Sequence, residues 1–167
     1  MTYDRFEQLP VWKTAIELAR RVYAITKLPP LRRERSLRDQ LERAAVSVSN
    51  NIAEGFERGT TQELLTFIYI ARGSAGEVRS MLYLFESLFE SVPEFAALKS
   101  EISNLKSLAE NAARQLRGWA ESLQESPITG QRYLTEKVRK SGKARAEREE
   151  FLKKLEQIRQ GSGKPSS

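Results

Sequence analysis

The sequence predicts an all-α chain: an up-down antiparallel four-helix bundle with a C-terminal basic helical extension. Three observations predict it. Apolar residues recur at three- and four-residue spacing through four long segments. Proline, glycine and Ser/Thr signals separate the segments by only a few residues, which makes consecutive helices antiparallel neighbours. The composition, 40% hydrophobic with 9 Gly and 6 Pro in 167 residues, suits one helix-friendly globular domain.

Pro10 opens the first segment, because a proline at the first helical position sacrifices no hydrogen bond. Val11, Ala15, Leu18, Ala19, Val22 and Ile25 form its apolar face, flanked by Trp12 and Tyr23. It is expected to run to Lys27, before Pro29-Pro30, which cannot continue a helix. The second helix is expected to start after Ser36, with Ser36 and Asp39 as a capping pair. Leu37, Leu41, Ala44, Ala45, Val48, Ile52 and Phe56 line its apolar face, and Gly59 is the expected stop.

Thr60 with Glu63 forms the next capping pair. The third helix is rich in Leu, Ile, Phe, Tyr and Ala from residue 64 to 89. Arg72, Glu77 and Arg79 interrupt it, which argues against a membrane span. Gly73 and Gly76 lie inside it. Each costs roughly 1 kcal/mol relative to Ala, and close helix–helix approach is the expected compensation. Ser91 with Glu94 reads as the start of the fourth helix, which carries Phe95, Leu98, Ile102, Leu105, Leu108, Ala109, Ala112, Leu116, Trp119 and Leu123.

Ser126-Pro127 and Gly130 break the pattern and bound a bundle of residues 1–126. Residues 127–160 read as the basic helical extension. Within it, residues 143–160 carry a narrow apolar stripe of Phe151, Leu152, Leu155 and Ile158. Residues 161–167, Gly-Ser-Gly-Lys-Pro-Ser-Ser, read as a disordered tail.

The charge divides the chain in the same place. Residues 1–126 contain 17 Lys+Arg and 17 Asp+Glu, whereas residues 127–167 contain 11 and 5. The whole formal charge of +6 therefore sits in the last quarter. The chain has neither His nor Cys. That excludes Ser-His and Cys-His nucleophiles and nearly all zinc sites. No Gly-rich phosphate loop or spaced carboxylate cluster is present, so no catalytic residue, metal or cofactor is expected and the chain is not read as an enzyme. The first residues lack a secretory pattern, and a cytoplasmic protein is expected.

One stripe does not follow from the bundle alone. Gln40, Arg43, Ser47, Asn51, Glu54 and Arg58 recur in a heptad rhythm beside the apolar face of the second helix. They are either a solvated face or a hydrogen-bonded seam between helices or subunits, in which Glu77 would join the charges. Ser and Asn favour the seam, because they serve a merely exposed helix poorly.

The same residues carry a resemblance. Gln40-x-x-Arg43-Ala44-Ala45-x-Ser47, Asn51-Ile52-Ala53-Glu54-Gly55-x-x-Arg58 and Ala71-Arg72-Gly73-Ser74-x-x-Glu77 resemble the signature of a small bacterial four-helix-bundle family. Its members include proteins encoded in intervening sequences of large-subunit ribosomal RNA genes. Leu9-x-Val11-Trp12 with Ala15 is similar to the family's opening. The resemblance covers residues 6–124 and implies a homo-oligomer, commonly a ring-shaped homopentamer. A related family serves as accessory subunit of the reverse transcriptase in diversity-generating retroelements. Arg38-Asp39 and residues 127–167 depart from the family pattern.

Two functions follow as expectations. The first is charge-driven binding of RNA or DNA through Arg32, Arg33, Arg35 and Arg38, and through Lys137, Arg139, Lys140, Lys143 and Arg145 of the extension. A reverse transcriptase or RNA-processing enzyme is the expected partner. The second is a scaffold that docks a protein partner through residues 143–160 without touching nucleic acid.

Overall fold

The computed structural model describes residues 3–125 together with Arg148 and Glu150. The chain divides into two compact units, Met1–Gly130 and Gln131–Ser167. In the second unit Arg148 and Glu150 are helical and exposed.

The described part of the first unit holds four α-helices and no strand. They are α1 (Pro10–Ile25), α2 (Arg35–Glu57), α3 (Thr61–Phe89) and α4 (Lys99–Gln124). Short 3-10 turns at Phe6–Gln8, Leu31–Arg33 and Pro93–Leu98 precede α1, α2 and α4. Each helix packs on two others: α1 against α2 and α4, and α3 against α2 and α4. Cross-helix contacts give the register. Thr14 and Arg21 of α1 meet Gln115 and Glu101 of α4. Arg79 and Glu86 of α3 meet Glu110 and Lys106 of α4. Ser47 of α2 and Arg58, just past its end, meet Ser74 and Phe67 of α3. Thr26, just past the end of α1, meets Glu42 in the first half of α2. Residue numbers fall along one helix as they rise along its neighbour, and α2 runs back from the end of α1, so the four packed pairs are antiparallel.

The predicted apolar faces build the core. Leu18, Val22, Leu41, Val48, Ile52, Ile68, Val78, Leu82, Ile102, Leu105 and Leu116 are fully buried. Each such side chain stabilises the fold by about 1.5–3 kcal/mol relative to an exposed one. No helix among the described residues is long and apolar enough to cross a membrane.

The helix ends partly follow the capping signals. Pro10 stands in the first turn of α1. Thr60 caps α3: its Oγ1 accepts from the Glu63 N–H at 3.2 Å and donates to Glu63 Oε2 at 2.8 Å. Ser36 does not cap α2, which begins one residue earlier with no side-chain cap bond. The preceding turn already winds the chain, with the Arg38 N–H donating to the Glu34 carbonyl at 2.9 Å. Ser91 does not start α4 either. Val92 and Pro93 open a 3-10 turn that buries Phe95 and Leu98, and α4 starts at Lys99. Phe95 lies 6.4 Å from Phe89 and anchors that turn under the end of α3.

Among the described residues, Gly73 and Gly76 do not mediate close approach. Both are exposed, and a Cβ added to either meets nothing within 4 Å. The close approach falls at Gly55, where α2 crosses α3 beside Phe67.

Candidate nucleic-acid interface and helix seam

Arg32 and Arg33 lie on the turn that feeds α2, and Arg35 is the first residue of the helix. Fully buried Leu31 anchors the turn to the core. Backbone bonds from the Arg32, Arg33 and Glu34 N–H groups to the Leu28, Pro30 and Leu31 carbonyls, at 2.9, 3.0 and 3.1 Å, wind it tightly. Arg32, Arg33 and Arg35 are exposed and have no ion pair among the described residues. Arg38 differs: it is half-buried and held by Asp39 at 2.9 Å.

The three free arginines stand where a helix tolerates cations least. The N-terminus of α2 carries the positive end of its dipole, with exposed Glu34 at the cap and no acidic residue in the first turn. Cations and dipole together favour an anion there, phosphate included. Lys137, Arg139, Lys140, Lys143 and Arg145, and the stripe of residues 143–160, lie outside the described residues.

The polar stripe of α2 divides into three parts. In its middle, four residues form a directed hydrogen-bond chain that joins α2 to α3. Asn51 Nδ2 donates to the Ser47 carbonyl at 2.7 Å and to Ser47 Oγ at 2.9 Å. Ser74 Oγ donates to the Ile70 carbonyl at 3.1 Å. The 2.9 Å contact between the two hydroxyls is therefore donated by Ser47. Toward the C-terminus, Glu54 and Arg58 pair along the helix, and the Arg58 guanidinium lies 5.0 Å over the Phe67 ring. Toward the N-terminus, Gln40 and Arg43 of α2 and Glu77 of α3 line an open groove of about 520 Å³ with Ala44, Ser47, Ser80 and Met81. Among the described residues Gln40, Arg43 and Glu77 have no hydrogen-bond or ion-pair partner.

The strongest polar contacts between helices were not legible as motifs. Arg21 makes a bidentate pair with Glu101 at 2.8 and 2.7 Å. The pairing holds the Glu101 carboxyl below the usual carboxylate range, chiefly through the Arg21 hydrogen bond. Lys106 Nζ lies 2.7 Å from Glu86 and 4.1 Å from the Tyr83 ring centre. It lowers the Glu86 carboxyl in the same way. Thr26, fully buried at the end of α1, donates to Glu42 Oε1 at 2.6 Å. These partners are far apart in sequence, and only helical phase and register bring them together.

Among the described residues, no group of three or more His, Cys, Asp or Glu is placed to hold a metal ion. The site consists of charge and shape: a cluster of free cations at one end of the bundle and a groove with unpaired charges on the α2–α3 side.

A search of curated proteins finds no match to the chain. A family comparison matches residues 7–118 to the family described as 23S rRNA-intervening sequence protein. That span takes in all three motifs, the basic turn and most of the helical core. The chain therefore belongs to the 23S rRNA-intervening sequence protein family.

Proposed function

We propose that this protein is a non-enzymatic, self-associating bundle that binds RNA through charge. The observation that carries the reading is the cluster of Arg32, Arg33 and Arg35, exposed and unpaired at the positive end of α2. Three cations against the single carboxylate of Glu34 leave this helix end net positive, and a phosphate backbone would neutralise it. The family's description, which names 23S rRNA, supports RNA as the polyanion. The extension adds 11 Lys+Arg against 5 Asp+Glu in residues 127–167, and it is the second source of attraction. Copies gathered in one assembly multiply the field. Recognition of this kind reads shape and phosphate and leaves the base sequence unread. A reverse transcriptase or RNA-processing enzyme is the class of protein such an RNA-bound module would assist.

The test is a filter-binding titration of the full chain at low salt, with a structured RNA and with DNA of the same sequence. The expected result is binding by the wild type and a loss of about tenfold or more on replacing Arg32, Arg33 and Arg35 together by Glu. Failure of the wild type to bind either nucleic acid would sink the reading.

A further inference from the structure

Ser36 stands among the arginines of the basic turn without a structural task. It is the second residue of α2 and exposed. It does not cap the helix, and its hydroxyl has no hydrogen-bond partner among the described residues. Arg32, Arg33 and Arg35 lie four, three and one residues before it. Among the described residues it is the one exposed serine or threonine with an arginine three residues before it. Thr61 follows Arg58 at that spacing but is buried. Such a spacing is the charge pattern by which a basophilic protein kinase selects its serine, because carboxylates in its peptide cleft pair with the arginines.

The segment is also suited to entering such a cleft. No side-chain cap holds the start of α2, and helix ends open at the lowest cost. Buried Leu31 keeps the preceding turn on the core when the first turn of α2 opens. Two carboxylates lie nearby. Asp39 is held by Arg38, and Glu34 is outnumbered by the three free arginines.

We infer that Ser36 is a phosphorylation site whose phosphate turns down RNA binding at the arginine turn. In the step, Ser36 Oγ attacks the γ-phosphorus of a nucleoside triphosphate held by the kinase. The new O–P bond forms as the bond to the bridging oxygen breaks. The hydroxyl proton passes to the kinase's catalytic carboxylate, and the nucleoside diphosphate leaves. Phosphoserine carries about −1.5 to −2 charges at neutral pH. The free arginines exceed Glu34 by two charges, so the turn goes from net positive to near neutral. Arginine forks that would bond an RNA phosphate bond the phosphoserine instead. A negative charge in the first turn also suits the dipole of α2, so the modification favours the fold while it releases the ligand. The extension keeps its own cations, and binding is weakened without being abolished. This switch rests on the RNA-binding reading of the turn.

The test uses the full chain, ATP with magnesium and a purified serine kinase selective for arginine three residues before the serine. Mapping by mass spectrometry is expected to find phosphate on Ser36, and the treated chain is expected to bind a structured RNA about tenfold or more weakly. Ser36→Ala binds RNA as the untreated wild type does and keeps that affinity after treatment, which separates Ser36 from the serines of the extension. Ser36→Glu binds RNA more weakly and melts at a higher temperature, so the loss of binding is not a loss of fold. Three results overturn the switch and leave RNA binding standing: no phosphate on Ser36, a phosphorylated chain that binds as before, or a Ser36→Ala chain that loses affinity on treatment as the wild type does. An untreated wild type that binds no RNA overturns the proposed function and the switch with it.

Discussion

A Cβ built on Gly55 stands 2.6 Å from the Cβ of Phe67, well inside any normal carbon–carbon contact. The two atoms belong to helices that touch along their length, so neither can yield without moving α2 against α3. Gly55→Ala gains roughly 1 kcal/mol of helix propensity and loses about 1–3 kcal/mol to overpacking. The expected outcome is a net loss of stability, read as a lower urea midpoint at unchanged slope. Gly59→Ala, where an added Cβ meets nothing within 4 Å, serves as the comparison. A Gly55→Ala protein more stable than the wild type would contradict the close approach.

The Asn51–Ser47–Ser74–Ile70 hydrogen-bond chain should behave as a unit. Ser47→Ala removes an acceptor from Asn51 and a donor from Ser74, with an expected cost of about 1 kcal/mol. Ser74→Ala costs a similar amount, about 1 kcal/mol. Once either hydroxyl is gone, the other has less to lose. A double-mutant cycle should therefore show coupling of roughly 0.5 kcal/mol or more. Strict additivity would mean that the two serines do not share a bond.

The Arg21–Glu101 and Lys106–Glu86 pairs fix the direction of the acid response. Both carboxyls are lowered in the folded chain, chiefly by the hydrogen bond from their cation. Lowered carboxyls release protons that the unfolded chain still binds, so their stabilisation is complete above the ordinary carboxylate range. It is lost as the pH falls through their depressed values. Urea stability should decline on acidification through this window. Glu101→Gln should flatten the decline and lower stability at neutral pH. Parallel pH profiles for wild type and Glu101→Gln would contradict a role for the pair.

Helical periodicity made the four helices and nearly the whole core legible, because a 3.6-residue repeat depends only on which residues are apolar. Local bonds were read well where they close within one turn. Thr60 with Glu63 caps α3 as expected. They were misread where tertiary packing decides. Ser36 yields to the wound turn that begins at Leu31, and Ser91 yields to the buried Phe95. The glycines show the same division. Gly73 and Gly76 were expected to lie against a neighbouring helix and are exposed, whereas Gly55 lies at the contact. A glycine's spacing does not reveal which face it shares. Of the site, Arg32, Arg33 and Arg35 were legible as a charge run, but not that Arg38 is held by Asp39 while they are free. The seam was legible as a heptad of polar residues. Its division into a hydrogen-bond chain, a surface ion pair and an unpaired groove depends on Ser74 and Glu77 of the next helix.

The division among the arginines gives a prediction of its own. Arg38→Gln should reduce RNA affinity much less than Arg33→Gln, because Arg38 already spends its charge on Asp39. Competition binding with one RNA would compare them. Equal losses would mean that the Asp39 pair does not withhold Arg38 from the nucleic acid.

The most direct measurement is the salt dependence of RNA binding by the full chain. Each phosphate neutralised contributes a slope of about −0.7 to −0.9 in log K against log salt. The account predicts a steep negative slope for the wild type. It also predicts that replacing Arg32, Arg33 and Arg35 by Gln makes the slope shallower by about two to three. Binding that ignores salt, or a slope unchanged in the triple variant, would contradict it.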